Sequence, residues 1–73
     1  MARIEVQSEI TGTVWKVETA VGANVAAEAA LLIVESMKME IPVPAPAAGT
    51  VLELRVGEGD PVEEGQVVAV IEG

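Results

Sequence analysis

The sequence contains an internal duplication, and this feature does most to limit the folds available to the chain. A constant offset of 37 positions aligns residues 4–36 with residues 41–73 without a gap, and eight of the 33 aligned positions are identical. The identical pairs are Ile4/Ile41, Val6/Val43, Gly12/Gly49, Thr13/Thr50, Val14/Val51, Gly22/Gly59, Val25/Val62 and Glu35/Glu72. Two copies of one unit are expected to share one fold, so each copy helps to interpret the other.

This comparison decides between helix and strand. Residues 23–41, taken alone, favour a helix because they are rich in Ala, Leu, Glu and Met. Their repeat mates, residues 60–72, contain Pro61 and Gly65 and then a run rich in β-branched residues, which favours a strand. We therefore predict strands in both copies. They are residues 4–8, 12–18, 24–27 and 30–36 in the first copy and 39–45, 49–55, 61–64 and 67–72 in the second.

Two segments need a more detailed interpretation. Residues 12–19 alternate in polarity, which predicts that Trp15 lies on the core face of a half-buried strand, with Lys16 on the opposite face. Residues 41–49 resemble a Pro/Ala linker, but their alignment with the first copy favours an extended strand. Prolines 42, 44 and 46 then point the same way, as expected for an edge strand.

The length of 73 residues is that of one small domain, residues 1–73, with repeat halves 4–36 and 41–73. Two four-strand units of this size must share one core, so we expect an all-β flattened barrel or two-sheet sandwich with an approximate twofold axis. The offset relates Met37 and Lys38 to the chain ends. The segment around Lys38 and the termini, including Met1, should therefore lie at opposite ends.

Composition excludes several classes of function. The chain has no cysteine and no histidine, which removes thiol chemistry and the commonest metal ligand, and its acids do not follow a calcium-loop pattern. A net charge of −8 disfavours nucleic acid and anionic membranes as partners. No apolar run approaches the roughly 20 residues of a membrane span, and no signal-peptide core is present, so we expect a cytoplasmic protein without a metal site.

The most unusual local feature lies at the joint of the two copies, in Glu35-Ser36-Met37-Lys38-Met39-Glu40. A two-residue hairpin turn normally uses Asn-Gly or Gly-X because its backbone needs positive φ, so Met37-Lys38 is poor turn chemistry. Breaking such a local rule often accompanies function. Two apolar methionines beside a lysine are also not what a solvated tip requires. The pattern indicates that the lysine amine is exposed because it has a function.

These residues, placed between two Gly-Thr-Val…Gly…Val units, resemble the biotinyl/lipoyl attachment domains, and most of all the short free-standing biotin carboxyl carrier proteins of bacterial acyl-CoA carboxylases. The resemblance covers essentially the whole chain. Its Met-Lys-Met centre is typical of biotin, whereas lipoyl domains usually have Asp-Lys-Ala or Val-Lys-Ala there. It implies a flattened β-barrel of two four-stranded antiparallel sheets, a barrel-sandwich hybrid, with the lysine on an exposed hairpin.

The resemblance also implies roles for individual residues. Lys38 matches the lysine to which a biotin protein ligase attaches biotin covalently. Met37 and Met39 match the flanking methionines used in ligase recognition and local packing, and Glu35 matches an acidic position that can help to distinguish ligases. For Glu35 and Glu40 a solvated surface charge is an equally good interpretation. The implied function is a biotin carboxyl carrier, without catalytic residues, that moves a carboxyl group between biotin carboxylase and carboxyltransferase partners.

Other interpretations stay open. A lipoyl carrier of an oxo-acid dehydrogenase-type system is the main alternative, followed by a purely structural or interaction module. An autonomous enzyme has the least support, because Ser8 and Ser36 have no candidate base in the sequence.

Three departures from the family pattern also matter. Glu28 stands where the second copy has Gly65, so one turn is expected to be strained or built differently. The gapless repeat leaves no room for the "thumb" insertion of some biotin carriers. The ends show no Pro/Ala-rich linker, and in this respect the chain resembles a free subunit.

Overall fold

Eight short strands alternate with tight turns in the computed structural model, which describes residues 2–73. The strands are β1 (Arg3–Gln7), β2 (Gly12–Val17), β3 (Asn24–Val25), β4 (Ala30–Ser36), β5 (Met39–Pro44), β6 (Gly49–Leu54), β7 (Pro61–Val62) and β8 (Val67–Glu72). The predicted strands are confirmed, including those in the segment with helical composition. β3 and β7 are two residues shorter than expected, because the chain turns at 27–28 and 64–65, and β2, β5 and β6 each end one residue early.

The strands form two four-stranded antiparallel sheets, ordered β1-β8-β6-β3 and β5-β4-β2-β7. If four is added to each strand number, counting on from β8 to β1, the first order becomes the second. The duplication in the sequence therefore becomes a twofold relation between the sheets. The predicted all-β sandwich of two four-stranded sheets is therefore confirmed. Because each sheet draws strands from both copies, neither copy has a sheet of its own.

The prediction that Trp15 lies on the core face is wrong. Its side chain is 48% exposed, whereas Val14 is 1% exposed and faces the core. The pairing of β2 with β4 passes from Val14↔Val34 directly to Lys16↔Ile33, so Trp15 is the extra residue of a β-bulge. The bulge breaks the period of two on which the prediction rested. The second copy has the same shift in β6, where Leu52 is the residue skipped.

The core between the sheets is entirely aliphatic, as the near absence of aromatic residues requires. Leu31, Leu32, Val34 and Ile71 have no exposed surface, and partly buried side chains such as Ile4 and Leu54 pack around the cluster. Burial of a side chain of this size contributes about 1.5–3 kcal/mol. The core therefore holds together only if both sheets supply their inner faces.

Strand β5 lies at the edge of its sheet, as the prolines predict. Its inward residue Val43 is buried, while Pro42 and Pro44 are exposed and alternate with it. Proline cannot donate to a ladder, so an edge is where such a strand can be placed. The Pro/Ala segment is thus a strand and not a linker.

The β4–β5 hairpin and the described chain ends, Ala2 and Gly73, lie at opposite ends of a molecule of 36 × 19 × 17 Å. β4 ends at the hairpin, beside the start of β2. From the far end of β2, residues 18–23 lead to β3, where Asn24 pairs with Thr50, which in turn pairs with Glu72 next to the C-terminus. Ala2 and Gly73 exchange backbone hydrogen bonds there. Met1, which belonged to the same expectation, lies outside the described residues.

Candidate functional site

The candidate site is the tip of the β4–β5 hairpin. Ser36 pairs with Met39, which leaves Met37 and Lys38 as a two-residue loop. Both loop residues have positive φ, 52° at Met37 and 66° at Lys38. These are the dihedral signs of the type I′ turn, which normally takes Asn-Gly. A side chain in this left-handed region costs about 1–2 kcal/mol per residue, so the turn stores strain at two adjacent positions.

The side chains of this tip project into solvent. Met37 is 92% exposed and Met39 is 63% exposed, and Lys38 between them is exposed as well. Isolated exposed apolar residues are common on protein surfaces, but these two flank one amine on a strained turn. Met is flexible and polarisable, which suits it to contacts with a partner surface. The tip therefore presents an amine with adaptable apolar groups on either side.

The amine of Lys38 is not engaged by the fold. The chain has four cations, and three of them form surface ion pairs: Arg3 and Arg55 with Glu53, and Lys16 with Glu18. Within residues 2–73, Lys38 has neither an ion pair nor a side-chain hydrogen bond. Its amine is therefore free to reach the active site of another protein.

Two carboxylates lie just behind the tip. Glu35 and Glu40 are directly opposite each other in the β4–β5 ladder, and both are exposed. Like charges in this arrangement are destabilising by a few tenths of a kcal/mol or more. No cation of the described chain is paired with either one. Sequence reasoning singled out both residues, but only the register shows that they form one negatively charged pair.

The hairpin is supported from below by a close contact between backbones. A Cβ added to Gly12 would overlap the carbonyl oxygen of Glu35, so only glycine lets β2 approach β4 at this level. The repeat mate Gly49 stands in the same relation to the carbonyl of Glu72. In the sequence this pair is visible only as a repeat marker, and its role in close approach appears once the strands are packed together.

The site offers one exposed amine that makes no ion pair within the described chain. An exposed amine can be acylated by an activated acid that another enzyme brings to it. Among the described residues, no three carboxylates cluster in a way that could hold a metal ion. Residues 2–73 also include no helix that is long and apolar enough to cross a bilayer.

Comparison with known proteins agrees with this geometry. A family model for biotin/lipoyl domains, described as "Biotin-requiring enzyme", matches residues 3–71. The chain belongs to the biotin/lipoyl attachment family. Domains of this kind are carriers, which agrees with an exposed and unengaged lysine. The match extends over both copies of the repeat, so the family relation covers the whole fold and not only the hairpin.

Relatives of two kinds share this domain. The chain is 40% identical over 67 residues to the "Biotinylated protein TB7.3 homolog" of Mycobacterium leprae, covering 92% of this chain and 94% of that protein. It is 41% identical over 63 residues to the "Biotin/lipoyl attachment protein" of Bacillus subtilis, covering 86% of each. It is also 43% identical over 67 residues to urea amidolyase of Saccharomyces cerevisiae, covering 92% of this chain.

A solved structure has the same fold. The urea carboxylase of Kluyveromyces lactis superposes with a TM-score of 0.92 at 40% identity, over 99% of this chain. The chain spans only 6% of that protein and 4% of the yeast urea amidolyase. The comparisons therefore identify a domain that occurs both within large enzymes and in proteins of about its own length.

Proposed function

We propose that the protein is a biotin carboxyl carrier, with biotin attached covalently to the side-chain nitrogen of Lys38. The observation that carries the proposal is the position of this amine, exposed on a strained turn and engaged by nothing in the described chain. Relatives of matching length and relatives within carboxylases support the biotin assignment. The partners would be a biotin protein ligase and then a biotin carboxylase and a carboxyltransferase.

The attachment step makes simple demands on the carrier. The Lys38 nitrogen attacks the acyl carbon of a biotinyl adenylate held by the ligase, an amide bond forms, adenylate leaves, and the amine proton passes to a base of the ligase. Met37 and Met39 would contact the ligase on both sides of the amine. Glu35 and Glu40 would add a negative pair that favours a basic rim on the ligase and disfavours an acidic one.

After attachment, the fold would carry a long flexible group made of the Lys38 side chain and the biotin. Biotin supplies a ring that can accept a carboxyl group at one active site and release it at another. The lysine stem lets that ring reach two separated sites at high effective concentration, because the linkage makes each encounter intramolecular. The rigid sheets behind the hairpin keep the flexible group directed away from the body.

The test is intact mass after coexpression with a biotin protein ligase. We expect one biotinyl group on the wild-type chain, one on Lys16→Arg, and none on Lys38→Arg. Lys16 is the matched control because it is the other lysine of the chain. Biotin on Lys16 in the Lys38→Arg protein would refute the site. Isolation of the biotinylated form together with carboxylase and carboxyltransferase subunits from native cells tests the carrier role.

A lipoyl carrier is the second candidate, because the Bacillus subtilis relative is named for both groups. The hairpin geometry serves either acid, since both attachments need only a presented amine. Coexpression with a lipoate ligase in addition to the biotin ligase separates the two functions. Biotin alone on Lys38 supports the first proposal, and a lipoyl-only adduct replaces it with the second.

A further inference from the structure

A groove runs along one side of the molecule and does not include the Lys38 tip. We refer to it as the lateral groove. It encloses about 560 Å³ and lies between the edge strands β1 and β5. Its lining consists of residues 5–10 and 41–46 with Glu28, Glu64 and Gly65. Here the two sheets face each other edge to edge without pairing, so the sandwich is open on this side.

The β5 side of this opening cannot form a ladder. The backbone of Ala45 bonds toward β4, through Ala29 and Glu28, so the alternation of an antiparallel strand directs residues 42, 44 and 46 to the free edge. All three are prolines. This edge therefore offers carbonyl oxygens but no N–H donor over the length of the lateral groove.

The β1 side of the lateral groove, unlike the β5 side, can form a ladder. Ala2 and Ser8 exchange backbone hydrogen bonds with the β8 side of the sheet, so the alternation directs the N–H and C=O groups of Arg3, Glu5 and Gln7 outward. None of these three has another backbone partner within residues 2–73. β1 thus has a free edge with both donors and acceptors.

The duplication shows that this difference is specific to the first copy. The offset of 37 places Glu5 opposite Pro42, Gln7 opposite Pro44 and Glu9 opposite Pro46 in the alignment. The fold accepts proline at these three positions in one copy, and proline is a common means of blocking an exposed edge. In the first copy the same positions carry N–H groups and polar side chains. One edge is blocked and its repeat mate is open.

The charge around the lateral groove indicates what could occupy the open edge. Its lining contains the carboxylates Glu5, Glu9, Glu28 and Glu64 and no lysine or arginine. A second copy of the chain is a poor occupant, because two β1 strands would bring these carboxylates together and each chain already carries −8. An extended segment with lysine or arginine side chains matches both the backbone and the charge.

We propose that β1 is a docking edge, and that an extended, basic segment of a partner protein adds to it as a further strand along the lateral groove. The floor of the groove, which includes Val6 and Val43, would receive the apolar side chains of that segment. Ile41 is three residues from Lys38, or roughly 10 Å along an extended strand. A partner bound here would hold the carrier by its side and leave the tip free. The inference is independent of what is attached to Lys38.

The experiment uses the whole chain labelled with ¹⁵N and a blocked peptide of about eight alternating valine and lysine residues, a common strand length. We expect NMR shift changes concentrated in the amides of residues 3–9 and of Ile41, Val43 and Ala45, slowed exchange of the Glu5 and Gln7 amides, and weaker binding at higher salt. The same peptide with glutamate in place of lysine should not bind. Shifts centred on Trp15 or on the hairpin, or no binding by the lysine peptide, would overturn the proposal.

Matched variants separate strand addition from attraction by charge alone. Gln7→Pro removes one N–H from the edge and should weaken binding about fivefold or more, whereas Gln7→Ala keeps the N–H and should bind like the wild type. Pro44 is the repeat mate of Gln7, so the fold accepts proline at the equivalent position of the second copy. Replacing Glu5 and Glu9 by glutamine should flatten the salt dependence, and Glu18→Gln, outside the groove, should not. Equal binding by Gln7→Pro and Gln7→Ala, or a concentration-dependent dimer in sedimentation, contradicts the assignment.

Discussion

At the scale of single residues, the tip combines features that have no structural benefit for the isolated domain. Met37 and Lys38 adopt left-handed backbone, Met37 and Met39 expose apolar surface, and Glu35 faces Glu40. Each feature is unfavourable for stability. Strain and exposed apolar groups that persist together at one place are typical of sites that serve a partner.

Met39 tests the role of the flanks. It is 63% exposed, so changing it should alter stability little. We expect Met39→Leu to retain most of the biotinylation rate, because it keeps apolar bulk, and Met39→Asp to lower the rate by about tenfold or more, because it adds a charge to an apolar contact. Initial rates with a purified biotin ligase measure this. Equal rates for two variants of equal thermal stability would show that the flank does not contact the ligase.

Glu28 tests the strain expected from its alignment with Gly65. It has φ of 69°, close to the 85° of that glycine, so the strained alternative is confirmed. We expect Glu28→Gly to raise the free energy of unfolding by about 0.5–1 kcal/mol, since relief of the left-handed strain exceeds the entropy that glycine adds to the unfolded chain. Gly65→Ala should act in the opposite direction. Urea unfolding of both variants provides the measurement, and a lower stability of Glu28→Gly would show that its turn is relaxed.

At the scale of elements, the β4–β5 hairpin and the β2 bulge show how local rules and tertiary packing interact. The hairpin adopts the turn that its length requires, although its residues disfavour it. The bulge turns Trp15 outward and lets Val14 and Val17 both face inward with two residues between them. The same bulge occurs at Trp15 and at its repeat mate Leu52, so it belongs to the shared fold and does not depend on tryptophan.

The substitution Met37→Asn in the hairpin turn tests thermal stability and biotinylation separately. Asparagine tolerates positive φ, so we expect the melting temperature to rise, by an amount corresponding to about 0.5–1 kcal/mol. The biotinylation rate should fall because one flanking methionine is lost. Calorimetry and ligase assays on the same preparation test both effects. If stability does not rise, Met37 is not strained in its turn, and the trade-off between turn and site is absent.

At the scale of the whole molecule, the duplication forms one structure and not two. Each sheet is built from strands of both copies, and the aliphatic core lies between them. Most close contacts join residues far apart in sequence, so neither half buries its apolar surface alone. The symmetry also separates the tip from Ala2 and Gly73, the two ends of the described chain.

This arrangement predicts a single cooperative unfolding transition. Val14→Ala and Val51→Ala, mates in the two copies, should each lower the free energy of unfolding by about 1.5–3 kcal/mol and shift the one transition without splitting it. Trp15→Ala is the control and should have a much smaller effect, because its side chain is half exposed. Two resolved transitions in calorimetry would mean that the copies fold independently.

The sequence by itself determined the repeat, the strand class, the edge position of the proline strand and the unusual lysine turn. These follow from the alignment of two copies and from the backbone limits of Gly and Pro, which act locally. The tertiary structure alone decided that Trp15 faces outward, that Glu35 lies opposite Glu40, and that β1 keeps a free edge. Each of these depends on register between strands distant in sequence, and one bulged residue changes which face a side chain occupies.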